Sequence, residues 1–376
     1  MWDNLKVLHI ITSLGPGGAE GMLYRLILAS KNSIEHSVIC LNKGGKYVSL
    51  MQKANIEVLV LNLKIFSSYK GIIPILKYSK AKRKQGYQIV TSWLYHADLV
   101  AWFVKSLCGF KSLVWNIRYT RLQLGRSSFK NWLILKTLAI LSKYKVDRII
   151  SCSKSAGELH KKIGYNKNIF RIIPNGYFLN KTQKFDKNLK KYDGLFKICF
   201  IARWHHQKDF ETLFQALDLL KFNKISFQLT IAGNNTNVEN KELIALLKKY
   251  KLNEFCLLRG EVDNVQSIYL NSHTSVLCSA YGEAFPNVLA ESMLNFTPCI
   301  STNVGDAAII LDDVGTIVPI GDYKAIADAL TENHRLLRDE NDVYINNCLR
   351  GFDKIYSKYD IQDIAKNYQE VWKYLE

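Results

Sequence analysis

The sequence predicts an α/β protein of two doubly wound domains, each a parallel sheet covered by helices, with a cleft between them. Three observations carry this. A chain of 376 residues is longer than one ordinary core serves and suits two domains. Apolar residues make up 48% of it, enough to bury two cores. Short β-branched runs alternate with amphipathic segments from end to end, the pattern of strands joined by crossover helices.

In the first half, "KVLHIITS" (6–13), "EHSVICLN" (35–42), "NIEVLVLNL" (55–63), "QIVTSWL" (88–94), "SLVWNIR" (112–118) and "DRIISCS" (147–153) read as buried strands. The stretch "EGMLYRLILAS" (20–30) between the first two reads as a helix. The second half repeats the scheme with "FKICFIAR" (196–203), "FQLTIAG" (227–233), "FCLLRGE" (255–261), "TSVLCSA" (274–280) and "PCISTNV" (298–304). "DFETLFQALDLL" and "KELIALLKKY" are helices among them. The polar, lysine-rich "LNKTQKFDKNLKKYDG" is the expected linker, which sets boundaries of 1–178, 179–194 and 195–359. A last helix over 360–376 places Ile364, Tyr368, Val371, Trp372 and Leu375 at helical spacing and needs a surface to cover. In sheets of this kind ligands sit at the strand C-termini.

Composition narrows the function. No stretch reaches about 18 uninterrupted apolar residues, so no transmembrane helix is expected. "MWDNLKVLHIIT" lacks the basic start of a signal peptide. The eight cysteines are scattered, none in C-x-x-C, and several lie in apolar runs, as reduced buried thiols of a cytoplasmic protein do. Charge is uneven. Residues 1–190 hold 32 Lys and Arg against 8 Asp and Glu, or +24, whereas 191–376 hold 19 against 25, or −6. The basic half should meet an anionic partner. No nucleic-acid module or aromatic-basic platform is present, so a nucleic-acid binder is the weaker reading of that charge.

Two stretches carry chemistry. "CFIARWHHQKDFETL" reads as strand, turn and helix, with Arg203 at the strand end and Lys208 five residues on, two cations where an anion is expected. In "YGEAFPNVLAESM" (281–293), Pro286 fits the first turn of a helix, leaving the amides of Asn287, Val288 and Leu289 to bind an anion. Glu283 precedes that turn and Glu291 falls about one turn inside. One glutamate would suffice to complement a helix dipole. Two carboxylates beside a phosphate site suit a nucleotide sugar, because carboxylates accept hydrogen bonds from hydroxyls.

These stretches, with "TPCISTNVGD", "GTIVPIGD", the "GPGGAE" turn (15–20) and "IIPNGY" (172–177), resemble the retaining family-4 glycosyltransferases of the two-domain GT-B fold, over residues 7 to 322. The resemblance implies two Rossmann-like domains, the first binding acceptor and the second nucleotide sugar, with the C-terminal helix returning to the first. It implies that Arg203 and Lys208 hold the nucleotide diphosphate, Glu291 the ribose and Glu283 the donor sugar. The loop from Phe285 and Pro286 to Leu289 would complete the donor site, and Gly17 and Gly18 would approach the donor phosphate. Where many relatives place a histidine near the reacting sugar, "WNIRYT" puts Arg118 and Tyr119; His96, in "SWLYHADLV", is a second candidate for that role.

The expected reaction is retaining transfer from a UDP-sugar, with charge on the departing phosphate stabilised by Arg203, Lys208 and helix amides. No D-x-D is present, so neither metal nor cofactor is demanded. A lipid-linked saccharide is the expected acceptor. "GIIPILKYSKAKRKQGY" (71–87) joins Lys77, Lys80, Lys82, Arg83 and Lys84 to Ile72, Ile73, Ile75, Leu76 and Tyr78. "RSSFKNWLILKTLAILSKYK" (126–145) joins Phe129, Trp132, Leu133 and Leu138 to lysines. Both read as basic amphipathic helices for an anionic surface, placing the protein on the inner face of a bacterial cytoplasmic membrane. A GT-B sugar-nucleotide epimerase is the rival enzyme.

Overall fold

The computed structural model describes residues 5–42, 44–62, 71–120, 129–180, 182 and 184–375. Leu63, at the end of one expected strand, and residues 126–128, at the start of the second basic stretch, lie outside them. The chain divides into two compact units, Met1–Leu179 with Tyr359–Glu376, and Asn180–Lys358.

The first unit is built on seven parallel strands: β1 (Leu5–Ile11), β2 (Ile34–Cys40), β3 (Glu57–Val60), β4 (Ile89–Trp93), β5 (Ser112–Ile117), β6 (Arg148–Ser151) and β7 (Phe170–Ile172). Their order is β3-β2-β1-β4-β5-β6-β7. The central strands are apolar on both faces because helices cover both. These helices are α1 (Gly18–Ser30), α2 (Lys46–Lys53), α3 (Ile72–Lys84), α4 (Tyr95–Cys108), α5 (Phe129–Leu141) and α6 (Lys154–Ile163). Met22, Leu23, Leu26 and Ile27 form the buried stripe of α1 and pack against Val7, Ile11 and Val38.

The second unit has β8 (Phe196–Ile201), β9 (Phe227–Ala232), β10 (Cys256–Leu258), β11 (Thr274–Leu277), β12 (Cys299–Thr302) and β13 (Thr316–Val318), in the order β10-β9-β8-β11-β12-β13. Its helices are α7 (Phe210–Phe222), α8 (Lys241–Lys249), α9 (Gln266–Leu270), α10 (Asn287–Met293), α11 (Ala307–Leu311), α12 (Tyr323–Asp339) and α13 (Asn341–Lys358). Phe196, Ile198 and Phe200 of β8 meet Leu213, Phe214 and Leu217 of α7 in the core. Strands β7 and β13, three residues each, are too short to show a period in the sequence.

Helix α14 (Ile361–Tyr374) joins the first unit and buries Ile361, Ile364, Tyr368, Val371 and Trp372 against the β1–β4 face. Gly176 lets it approach, since a Cβ there would lie 2.9 Å from the Ile361 Cα. The backbone ties it on through Tyr177 N–H to Tyr359 O and Ile361 N–H to Tyr177 O, both 2.9 Å.

The stretch expected to be the polar linker is buried at one position. Lys190 is 1% exposed, and its Nζ donates to the carbonyls of Tyr269 (3.1 Å) and Ser272 (2.5 Å) and to Thr297 Oγ1 (2.8 Å). Burial lowers its pKa to about 8. None of the eight cysteines is in a disulfide, and six of them are buried.

Beneath α14 runs a chain of buried polar groups. An indole can only donate, so Trp93 Nε1–H donates to His9 Nδ1 at 3.3 Å. His9 Nε2–H therefore donates to His36 Nδ1 (2.9 Å), His36 Nε2–H to Ser30 Oγ (2.9 Å), and Ser30 to the Leu26 carbonyl (2.7 Å). Each imidazole is thus fixed as a neutral tautomer. Burial holds His36 at about 3, and burial with the neighbouring His36 holds His9 well below 6.5. Burial also lowers His160 and His273 to about 4. Below the unfolded value of about 6.5 the unfolded chain takes up protons that the folded chain refuses. Their stabilising contribution is whole above that pH and falls toward pH 4, by about 1.4 kcal/mol per pH unit for each proton. Melting temperature is therefore expected to drop steeply between pH 6.5 and 4, less so in His9→Phe. A flat profile over that window would refute the neutral chain.

Candidate active site

Each sheet reverses its strand order once, between β1 and β4 in the first unit and between β8 and β11 in the second. Such a switch opens a crevice at the strand C-termini. The predicted residues sit on the loops leaving these four strands and β5, or at the start of the helices that follow them.

In the second unit, the loop after β8 carries Arg203 and Lys208. It stays paired with the loop after β9, Ala202 N–H to Ala232 O and Trp204 N–H to Asn234 O, both 2.9 Å. Gly233 permits this: its φ is +150, and a Cβ there would lie 2.2 Å from the Ala202 carbonyl oxygen. Gly233→Ala should therefore displace the Ala202–Arg203 backbone and cost about 1–3 kcal/mol. Weaker nucleotide binding together with a lowered melting temperature would show it; unchanged binding would refute the placement. A short 3-10 turn, His206–Lys208, is capped by His205 Nδ1 accepting from Gln207 N–H (3.0 Å), and Asp209 caps α7.

The loop after β11 carries Glu283 and is tied to the first loop by Ala280 N–H to Gln207 O, 2.8 Å. Glu283 Oε1 accepts from Lys208 Nζ (2.6 Å), Ser279 Oγ (2.8 Å) and Gln207 Nε2 (3.2 Å). The two charged side chains are 13% and 14% exposed. Burial alone would raise the Glu283 carboxyl. The charge and hydrogen bond of Lys208, with Ser279 and the charge of Arg203, outweigh it and hold the pKa below the ordinary value. Glu283 is a carboxylate at neutral pH. The turn after β12 supports it from the other side, with Asp306 N–H on the Ala284 carbonyl at 2.9 Å. Gly305 (φ +56) makes that approach, where a Cβ would lie 2.6 Å from the carbonyl oxygens of Glu283 and Ala284.

Pro286 is not inside the first turn of α10 but caps it, with extended backbone, and the helix begins at Asn287. The Leu289 amide is not available as expected, because it donates to the Pro286 carbonyl at 3.2 Å. A proline at the cap closes a tight turn on its own carbonyl. Phe285 and Leu289 are buried. Val288 is half-buried, as is Glu291 within α10.

In the first unit, Gly17 caps α1 and Gly18 is its first residue. Glu20, 9% exposed, accepts from Ser13 Oγ (2.8 Å) and packs under the loop, so that a Cβ on Gly17 would lie 2.3 Å from its Oε2. His96 lies in the first turn of α4, half-buried, its pKa lowered by burial. The residue capping that helix, Leu94, has φ +76 and ψ 151, a region that strains any residue but glycine. Arg118 is turned inward: it donates to Asn175 Oδ1 (2.6 Å) and to the Tyr368 hydroxyl of α14, and lies 4.5 Å over the Trp93 ring. It clamps α14 and the "IIPNGY" segment to the strand ends. The Tyr119 carbonyl accepts from Tyr95 Oη at 3.0 Å.

The structure thus gathers Arg203, Lys208 and Glu283 into one network and adds Gln207, Ser279, Gly233 and Gly305, none of which the sequence reading singled out. Gln207 had a signal, standing between the two cations in the motif. Among the described residues no group of three or more His, Cys, Asp or Glu gathers as metal ligands would.

The family description "Glycosyl transferases group 1" matches residues 181–343, which contain this network. Residues 181–343 are a group 1 glycosyl transferase domain. An α-1,4-N-acetyl-D-galactosaminyltransferase of Campylobacter jejuni, whose name specifies an undecaprenol-PP-linked glycan, is 25% identical over 90% of both chains. The N-acetyl-alpha-D-glucosaminyl L-malate synthase of Bacillus anthracis is 25% identical over 57% of this chain and 56% of that enzyme. The phosphatidyl-myo-inositol mannosyltransferase of Mycobacterium leprae is 28% identical over 54% and 52%. The matches to these last two thus span about half of each enzyme's length. Among solved structures, Anabaena HepE in complex with UDP-glucose superposes with a TM-score of 0.82 at 17% identity, over 98% of this chain and 99% of that one. The two Rossmann-like units, the second of which contains the group 1 domain, are those of the GT-B fold.

Proposed function

We propose that the protein is a glycosyltransferase that moves a sugar from a UDP-sugar to a lipid-linked saccharide in bacterial glycan synthesis, with retention at the anomeric carbon and without a metal. The observation that carries this reading is the Arg203, Lys208, Glu283 network at the β8/β11 switch of a group 1 domain. Two cations beside a crevice can take the diphosphate and stabilise the charge that develops as it leaves. Glu283, ionised and fixed by three donors, suits a sugar hydroxyl, and Glu291 the ribose. The acceptor hydroxyl attacks the face that the diphosphate vacates, and His96 is the titratable group proposed on the acceptor side.

The lipid acceptor is favoured by the surface of α3, α4 and α5, which pack in succession. Ile72, Ile73, Phe103, Leu107, Trp132, Leu133 and Ile140 are exposed there, with Lys77, Lys80 and Lys84 beside them. This face is smaller than the sequence suggested. Lys82, Ile75 and Tyr78 share the inward side of α3: Lys82 is 4% exposed and ion-paired with Glu57, and Ile75 is core. Leu138 of α5 is core as well.

Calorimetry with UDP-, GDP- and ADP-sugars tests the donor site. One donor should bind wild type and be lost in Lys208→Ala and in Glu291→Ala. Failure of every donor to bind would overturn the assignment. Sedimentation with phosphatidylglycerol vesicles, lost in Ile73→Glu, tests the membrane face separately.

A further inference from the structure

Gln207 is 2% exposed in the 3-10 turn. Its Oε1 accepts from Arg203 Nη2 at 3.2 Å, and its Nε2 donates to Glu283 Oε1 at 3.2 Å. The chemistry admits one orientation. A guanidinium only donates and a carboxylate only accepts, so the amide oxygen must face Arg203 and the amide nitrogen Glu283. The backbone holds the residue at both ends, its N–H on His205 Nδ1 and its carbonyl on Ala280 N–H. Gly282 (φ +78) leaves the room: a Cβ there would lie 3.2 Å from Nε2. One buried amide therefore spans the two loops of the β8/β11 switch and fixes a cation of one relative to the carboxylate of the other.

We infer that Gln207 is a positioning residue of the transfer reaction, setting Arg203 and Glu283 at a fixed separation without itself touching substrate. This rests on the glycosyltransferase reading. Lys208, from the same turn, is a second cation at Glu283, and the backbone amide of Asp306 supports Ala284 from the β12–α11 loop. Positioning of this kind is valuable because small displacements of reacting groups cost about 100-fold in rate.

Two variants test it, with release of nucleoside diphosphate from the donor that wild type turns over as readout. Gln207→Met keeps the length but makes neither bond; kcat is expected to fall about 10- to 100-fold while KM for the donor changes less than about threefold. Gln207→Glu keeps size and the Arg203 contact but sets two carboxylates together. They then share a proton, so the acid limb of the kcat profile shifts upward by about one pH unit or more, with activity recovered on the alkaline side. Wild-type kcat in the Met variant, or an unshifted limb in the Glu variant, overturns the inference alone. No turnover of any nucleotide sugar by wild type overturns the reading and the inference with it. A poorly folded Met variant leaves the decision to the Glu profile.

Discussion

Glu283→Ala is expected to lose at least about 100-fold in turnover and about 3 kcal/mol or more in stability. The second loss has a specific source. Lys208 Nζ sits 2.6 Å from Glu283 Oε1 with 13% of its side chain exposed, so removing the carboxylate strands a largely desolvated ammonium. Lys208→Met strands the carboxylate in the same way. The double variant Lys208→Met/Glu283→Ala removes both charges and should be less destabilised than the sum of the singles by about 1–3 kcal/mol. Denaturant unfolding of the four proteins measures this, and additive singles would show that the pair is not coupled. The pH sign follows from the lowered carboxyl. Glu283's contribution is complete above the ordinary carboxylate value of 4.5 and is lost as pH falls through its depressed folded value.

Trp372→Ala is the second large effect, in the other unit. Trp372 is 0% exposed, with its ring centroid 5.9 Å from His9, 6.1 Å from His36 and 5.5 Å from Tyr368. Truncation should cost about 3–5 kcal/mol, since the surrounding sheet cannot collapse into the space. A drop of about 10 °C in the transition that reports the first unit is expected. Trp372→Phe should recover more than half of it. A drop of under about 2 °C would mean that α14 is dispensable to that unit. The same variant loosens Tyr368 and hence the clamp on Arg118, linking the last helix to the strand ends that carry the proposed acceptor residues.

Much of this was legible beforehand because it is local. Strands β1, β2, β4 and β5 announce themselves as apolar runs, and α14 by its stripe, since burial on both faces or on one leaves a period in the chain. Arg203, Lys208 and Glu283 were legible as charged residues placed just past strand ends, and Glu291 as a second carboxylate one turn into the following helix. The side on which a charge lands was harder to read. Lys82 looks like Lys80 and Lys84 in the sequence, yet helical geometry turns it under α3 onto Glu57. Arg118 and Lys190 look like surface cations, and each is drawn inward by partners more than 50 residues away.

The sequence by itself determined the α/β class, the two-domain layout and the residue types at the strand ends, because those follow from hydrophobic period and from glycine and proline chemistry acting over a few residues. Only the tertiary structure decided which charges meet. The Lys208–Glu283 pair, the Gln207 amide between Arg203 and Glu283, and the Gly233 and Gly305 approaches each join loops from different strands. Their distances are set by strand order and register, which no local pattern encodes.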